Sequence, residues 1–93
     1  MIRTFRCSKT ERLFRREHVK EFVNIEVAAL RRLAALDSAQ VVTDLRIPPS
    51  HRLELLTGDR KGQYSIRIND QYRICFTFEE GHADDVESTK HYR

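Results

Sequence analysis

The sequence predicts an α+β domain in which an N-terminal strand and two helices pack on one face of a twisted, mainly antiparallel sheet. Three observations support this prediction: helical periodicity in the first half of the chain, apolar–polar alternation in the second half, and a Pro48-Pro49 pair between them. With 93 residues, of which 40% are hydrophobic, the chain has material for one small core. We therefore expect a single domain over residues 1–93.

The chain is predicted to begin with a short strand and a first helix. Residues 2–7 alternate apolar and polar side chains and include β-branched and aromatic residues, which is typical of a strand. Ser8-Lys9-Thr10-Glu11 has the form of a capping box, in which Ser8 and Glu11 each satisfy a free backbone amide. A helix should therefore start at Lys9, turn Leu13 and Phe14 inward, and end before Val19.

The second helix has the clearest pattern. Asn24 is a suitable N-cap, and Glu26 lies in the first turn, where the helix dipole favours an acid. The helix carries its apolar residues on one stripe, which consists of Ile25, Ala29, Leu33 and Leu36. Asp37-Ser38 interrupts the pattern, and Pro48-Pro49 predicts a stiff, extended connector to the second half.

The second half is predicted to be an antiparallel meander. Candidate strands are residues 52–56, 64–68, 72–78 and a weaker 83–89, with turns at 57–62, at Asn69-Asp70 and at 79–82. Apolar residues occupy alternate positions, so one sheet face should be buried and the other open. The open face, on which we expect the functional site, carries Ser65, Arg67, Arg73, Cys75 and Thr77. Cys75 lies between Ile74 and Phe76 and is interpreted as a small packed side chain rather than a nucleophile.

Composition narrows the possible functions. Residues 1–20 are rich in Arg and Lys and residues 79–87 in acids, which indicates either a polyanionic partner or a solvated charged face. The two cysteines and four histidines show neither a disulfide framework nor metal-ligand spacing, so we expect no metal and no cofactor. No apolar run is long enough to cross a membrane, and the protein is expected to be cytoplasmic without a membrane partner.

Arg67 and Arg73 are the most informative pair. The Asn69-Asp70 turn brings their strands together, and both side chains leave the face opposite Ile66 and Ile74. Two guanidinium groups on one face repel each other unless an anion lies between them, and a phosphodiester fits that role. The alternative is structural pairing with Glu54 or with the acids of the last strand.

Two further segments offer cations and proton donors. The loop over residues 57–62 supplies Arg60 and Lys61, as a plain hairpin loop or as a phosphate contact. The C-terminus supplies Lys90, His91 and Tyr92, which suit RNA cleavage because imidazole transfers protons near neutral pH and phenol can stack on a base. The alternative is a solvated polar tail.

Longer runs of the sequence resemble a known family. Residues 55–76, which read LLTGDRKGQYSIRINDQYRICF, resemble the central block of HigB-type toxins of the RelE/ParE toxin superfamily. The opening MIRTFR and the connector around Pro48-Pro49 are similar too, so the resemblance covers nearly the whole chain. It departs from the family at Thr57, where some members have lysine, and at Lys90-His91-Tyr92, where many end Asp-Tyr-His.

The resemblance implies a RelE-like fold and the toxin of a type II toxin–antitoxin module. Its implied activity is ribosome-dependent, metal-independent cleavage of mRNA, which inhibits translation, and its implied partners are a HigA-like helix-turn-helix antitoxin, the ribosome and mRNA. Arg73, His91 and Tyr92 are the catalytic candidates, and Arg60, Lys61, Arg67 and Lys90 the RNA-binding ones. The alternatives are a non-catalytic, ParE-like inhibitor that acts by binding its target and a passive RNA-binding module.

Overall fold

The computed structural model describes residues 1–90, and its architecture confirms the predicted α+β class. Two helices, α1 (Ser8–Phe14) and α2 (Glu26–Ser38), precede a four-stranded sheet. The strands are β1 (Glu54–Leu55), β2 (Tyr64–Arg67), β3 (Tyr72–Glu79) and β4 (His82–Lys90). Within the described 90 residues, no helix is long and apolar enough to span a membrane.

The sheet is a meander in the order β1-β2-β3-β4, and every neighbouring pair is antiparallel. Asn69 closes the β2–β3 hairpin, since its side-chain oxygen accepts hydrogen bonds from the Gln71 and Tyr72 amides, both at 2.8 Å. Glu80 and Gly81 join β3 to β4 with φ of 50° and 81°, the positive values that a tight hairpin requires at both central positions. The sequence predicted both hairpins correctly.

The N-terminal strand is present only as two isolated bridges. Ile2 pairs with Ala83 and Phe5 with Val86, both parallel to β4. The Ile2 amide also donates to the Asp37 carboxylate at the end of α2, at 2.8 Å. The segment therefore adds a fifth, irregular element beside β4 and ties it to a helix.

Both helices pack on the same face of the sheet. Leu13, Leu33 and Leu36 are fully buried against inward-facing sheet residues such as Ile74 and Phe76. The Ser88 amide of β4 donates to the buried Thr10 hydroxyl of α1 at 2.9 Å. This hydrogen bond fixes the first helix against the last strand.

The predicted helix caps are wrong. α1 begins at Ser8, its N-cap is Cys7, and no side chain makes a capping hydrogen bond, so the Ser8–Glu11 capping box does not form. Asn24 lies inside a 3₁₀ turn over Lys20–Ile25, and Ile25 is the residue that precedes α2. The turn buries Phe22 and Ile25, so packing determines where the helix starts.

The connector is compact, so the prediction of an extended Pro48-Pro49 segment is wrong. Two 3₁₀ turns, Val42–Arg46 and Pro49–His51, flank a cis Ile47–Pro48 peptide bond. His51 ends the second turn, is 3% exposed, and places its Nδ1 3.2 Å from the Leu45 carbonyl oxygen. The fold therefore buries a histidine at the end of the connector.

The buried histidine predicts how stability depends on pH. Burial lowers the pKa of His51, and nearby Arg32 acts in the same direction, while the Leu45 carbonyl opposes them. The unfolded chain therefore takes up a proton at a pH where the folded protein does not. The free energy of unfolding should fall as pH drops below about 6.5, the ordinary histidine value.

Urea unfolding at about pH 8 and pH 5 measures this effect. The His51→Gln variant should lose less stability on acidification than the parent, whereas His18→Gln, which changes an exposed histidine, should behave like the parent. Equal losses in the parent and His51→Gln would contradict the assignment to His51.

Candidate active site

Strand register places a row of polar residues on the face away from the helices. Glu54 of β1 lies opposite Ser65, Ser65 opposite Cys75, and Cys75 opposite Glu87 of β4. Side chains at directly paired positions leave the same face of an antiparallel sheet, so all four share one face. The row has a carboxylate at each end and two small side chains in the middle.

This face is more enclosed than the sequence predicted. Ser65 and Cys75 are 4% and 0% exposed, while Arg67, Arg73 and Thr77 are half-buried. The prediction of an open face is therefore wrong for its centre. Alternation in sequence identifies which residues share a face, but it does not reveal a loop that folds back over them.

The loop after β1 and the edge of the sheet enclose a cavity of about 330 Å³. Its lining includes Glu54, Leu55, Thr57, Asp59, Arg60 and Arg73. Two carboxylates and two guanidinium groups thus meet in one open depression. Such a site can hold an anion and also offers groups that accept a proton.

Arg73 is the cavity's cation without an ion pair among residues 1–90. Within those residues its Nε is buried without a hydrogen-bond partner, and no carboxylate pairs with its guanidinium group. It also lies directly opposite Arg67, another cation. A buried guanidinium donor without a partner is unfavourable, so this position favours an incoming anion.

Arg60, by contrast, is already neutralised. Its Nη1 lies 2.6 Å from the Glu87 carboxylate and 3.1 Å from the Gln63 side-chain oxygen. The hydrogen bond to Glu87 raises the pKa of Arg60 above its usual range, and burial offsets only part of that. The pair is partly shielded from water, with side-chain exposures of 30% and 16%.

Cys75 lies beneath these two arginines. Burial raises the pKa of its thiol, and the Arg73 and Arg60 guanidinium groups counter that only in part. The thiol therefore stays protonated near neutral pH and is a poor nucleophile. Its role is that of a small packed side chain, as the sequence predicted.

The structure separates the other predicted site residues. Arg67 shares the face of Arg73 but pairs with the Asp70 carboxylate, and its Nε donates to the Asn69 carbonyl at 3.1 Å. Lys61 is exposed in the loop beside Arg60. Lys90 lies opposite Tyr72 on the other face, with its Nζ 6.0 Å from the ring centre. His91 and Tyr92 lie outside the described residues.

Sequence reasoning missed three acids of the site: Glu54 and Asp59, which line the cavity, and Glu87, which pairs with Arg60. Glu54 was considered only as an ion-pair partner for the arginines, yet it lines the cavity without pairing with Arg67 or Arg73. Asp59 was passed over as a loop residue, and Glu87 as one of several acids in the last strand. One signal was present for Glu54: it is the acid in the strand that leads directly into the loop bearing Arg60.

Comparison with known proteins identifies relatives over most of the chain. A family model described as RelE-like toxin of the type II toxin–antitoxin system HigB matches residues 3–91. Toxin HigB-1 of Vibrio cholerae is 52% identical over 60 residues, which is 64% of this chain and 63% of that protein's length. An uncharacterized Haemophilus influenzae protein is 33% identical over 69 residues, covering 74% and 68% of the two chains.

Solved structures agree with the fold. The YoeB–YefM toxin–antitoxin heterotetramer from Staphylococcus aureus contains a chain that matches with a TM-score of 0.63 and 22% identity, over 100% of this chain and 97% of that one. A YafQ variant from E. coli matches with a TM-score of 0.59 and 14% identity, over 97% and 91% of the two chains. These likenesses confirm the predicted fold.

Proposed function

Because the chain belongs to the HigB-like family of RelE-like toxins from type II toxin–antitoxin systems, we propose that it is an endoribonuclease that cleaves mRNA on the ribosome and so inhibits translation. The observation that carries the proposal is the position of Arg73, a partly buried cation with no ion-pair partner among residues 1–90, in a cavity that also contains Glu54. A phosphodiester supplies the anion that this position lacks.

The reaction follows from the chemistry of RNA. A base removes the proton of the ribose 2′-hydroxyl, the 2′-oxygen attacks the adjacent phosphorus, and the bond to the 5′-oxygen breaks as that oxygen takes up a proton. The products are a 2′,3′-cyclic phosphate and a 5′-hydroxyl. Negative charge grows on the phosphoryl oxygens in the transition state, where Arg73 would stabilise it.

Glu54 is the best placed base among the described residues. Its carboxylate is exposed, lines the same cavity as Arg73, and is not held in an ion pair with either Arg60 or Arg67. A carboxylate that is free to accept a proton can act as a general base. His91 and Tyr92 remain the proposed groups for protonating the leaving oxygen and stacking on a base.

The cavity favours cleavage over the non-catalytic, ParE-like alternative. Simple inhibition by binding requires no proton acceptor near the phosphate, whereas here a carboxylate and a guanidinium share one depression. Among residues 1–90, no group of three potential ligands gathers to hold a metal ion. We propose that arginine side chains, above all that of Arg73 in the cavity, supply the positive charge at the phosphate.

We also propose that an antitoxin with a helix-turn-helix domain, HigA-like, silences this toxin. The family description places its members in toxin–antitoxin systems, and the S. aureus relative of the same fold was solved in complex with an antitoxin. Arg60, Lys61 and Arg67 are proposed to contact RNA at the cavity face, and Lys90 is proposed to contact it from the other face of the sheet, where it lies opposite Tyr72. Arg60 would do so only weakly, given its bond to Glu87.

Single-turnover cleavage of one message, free and bound to programmed ribosomes, tests the proposal. We expect rapid cleavage on the ribosome and slow cleavage of the naked message. A cavity this open does little to orient the 2′-hydroxyl, and orientation contributes several kcal/mol in such reactions. Equal rates on both substrates would contradict ribosome dependence, and intact message in both cases would contradict the ribonuclease assignment.

A further inference from the structure

The two arginines of the cavity differ in charge compensation. Arg73 has no carboxylate partner within residues 1–90, whereas Arg60 is held by Glu87 at 2.6 Å. Glu87 does not come from the loop that bears Arg60. It comes from β4, where it lies opposite Cys75, so the sheet presents this carboxylate to the arginine at a fixed point.

The setting of this pair makes it different from the surface ion pairs of the molecule. Lys9 and Glu21 also lie 2.6 Å apart, but their side chains are 49% and 52% exposed, against 30% and 16% for Arg60 and Glu87. The two charges of an exposed pair are solvated by water and screened by salt, so the pair separates at a small cost in free energy. The Arg60–Glu87 pair is shielded and gains a further bond to Gln63.

We infer that Glu87 limits the affinity of this protein for free RNA, because it neutralises Arg60 and leaves Arg73 as the cavity's available cation. The inference rests on the proposed ribonuclease function and concerns the choice between free and ribosome-bound RNA. Binding to RNA grows with the number of phosphates that cations neutralise. An arginine that is already bound to a carboxylate must release it before it can bind a phosphate, so it adds little to the affinity for RNA.

The Arg60–Glu87 pair therefore favours cleavage of ribosome-bound RNA over cleavage of free RNA. A message held by the ribosome does not need to be captured by the toxin's own cations. A free message does need to be captured in this way. Arg73 is the one cavity guanidinium that no carboxylate of residues 1–90 neutralises, and it holds a free message poorly on its own. Glu87 thus acts as a specificity residue rather than a catalytic one.

The test is binding of a short 2′-O-methyl RNA, which cannot be cleaved because the attacking hydroxyl is blocked. Fluorescence anisotropy is measured at several salt concentrations for the parent and for Glu87→Gln. The variant should bind roughly 3- to 10-fold more tightly at low salt, and its plot of log affinity against log salt should be steeper by about 0.7, the value for one added phosphate contact on a single strand.

Glu21→Gln is the matched control, since it makes the same change of charge in a pair of the same length away from the cavity. The double variant Arg60→Gln/Glu87→Gln should bind about as weakly as the parent, because the released arginine is gone. If Glu87→Gln matched Glu21→Gln, or kept its gain without Arg60, the inference would be overturned. A double variant far weaker than the parent would also overturn it, since Arg60 would then already bind RNA.

The failure of this inference is distinguishable from failure of the proposed function. A parent protein that leaves ribosome-bound message intact contradicts the ribonuclease assignment, whatever the binding data show. A parent that cleaves on the ribosome, with Glu87→Gln binding like the control, contradicts only the role of Glu87. Thermal melts of each variant verify that the fold is retained.

Discussion

Replacing Arg73 by alanine should lower the single-turnover rate of cleavage on programmed ribosomes on the order of 10²-fold or more, as loss of one transition-state donor typically does. Arg73 is the cavity cation whose Nε is buried without a partner, so no neighbouring group within the described part of the chain replaces it. The effect should appear in the rate at saturating enzyme, because the interaction strengthens as charge develops on the phosphate.

The stability of the same variant should change little, by about 1 kcal/mol or less. Arg73 lies directly opposite Arg67, and removing one of two facing like charges relieves repulsion. Arg31→Ala, which removes an exposed arginine from α2, is the control for net charge and should cleave at the parent rate. An Arg73→Ala protein that melts early and cleaves normally would show that the arginine is structural.

Glu54→Gln should reduce cleavage by about 10²- to 10⁴-fold, the usual contribution of a positioned general base. The substitution keeps the size of the side chain and its place in the cavity but removes its ability to accept a proton. Glu54 is exposed on a two-residue strand at the sheet edge, so the melting temperature should stay close to that of the parent.

Rescue by a shorter acid separates a base from a substrate contact. Glu54→Asp keeps a carboxylate in the cavity and should retain more of the cleavage rate than Glu54→Gln does. Glu79→Gln, which changes an exposed acid at the far end of β3, should cleave at the parent rate. A Glu54→Gln variant with a normal rate would assign proton removal to another group, with Asp59 the next candidate in the cavity.

The parts of the fold that local chemistry determines were predictable. The apolar stripe of α2 and the alternation of β2 and β3 report which side each residue faces, and the Asn69-Asp70 turn fixes one hairpin. Helix caps were predicted less well, because the 3₁₀ turn before α2 is held by the packing of Phe22 and Ile25. The burial of Ile25 therefore determines where α2 begins, although Asn24 is a good cap residue.

Only some residues of the candidate site could be predicted from the sequence, for a similar reason. Arg67 and Arg73 were placed on one face by alternation alone. Glu54 and Glu87 reach that face through register across the whole sheet, and the Arg60–Glu87 contact joins residues 27 positions apart. Pairing over such distances depends on tertiary structure, which no local pattern specifies.

The parallel bridges between residues 2–5 and β4 also affect the order in which the protein can assemble. At a synthesis rate of about 5–20 residues per second, roughly 4 to 16 seconds separate the appearance of Phe5 from that of its partner Val86. During that interval Glu54, Arg60 and Arg73 have all been made, but the strand that supplies Glu87 has not. The nascent chain therefore contains Arg60 and Arg73 before it contains Glu87, the carboxylate that pairs with Arg60.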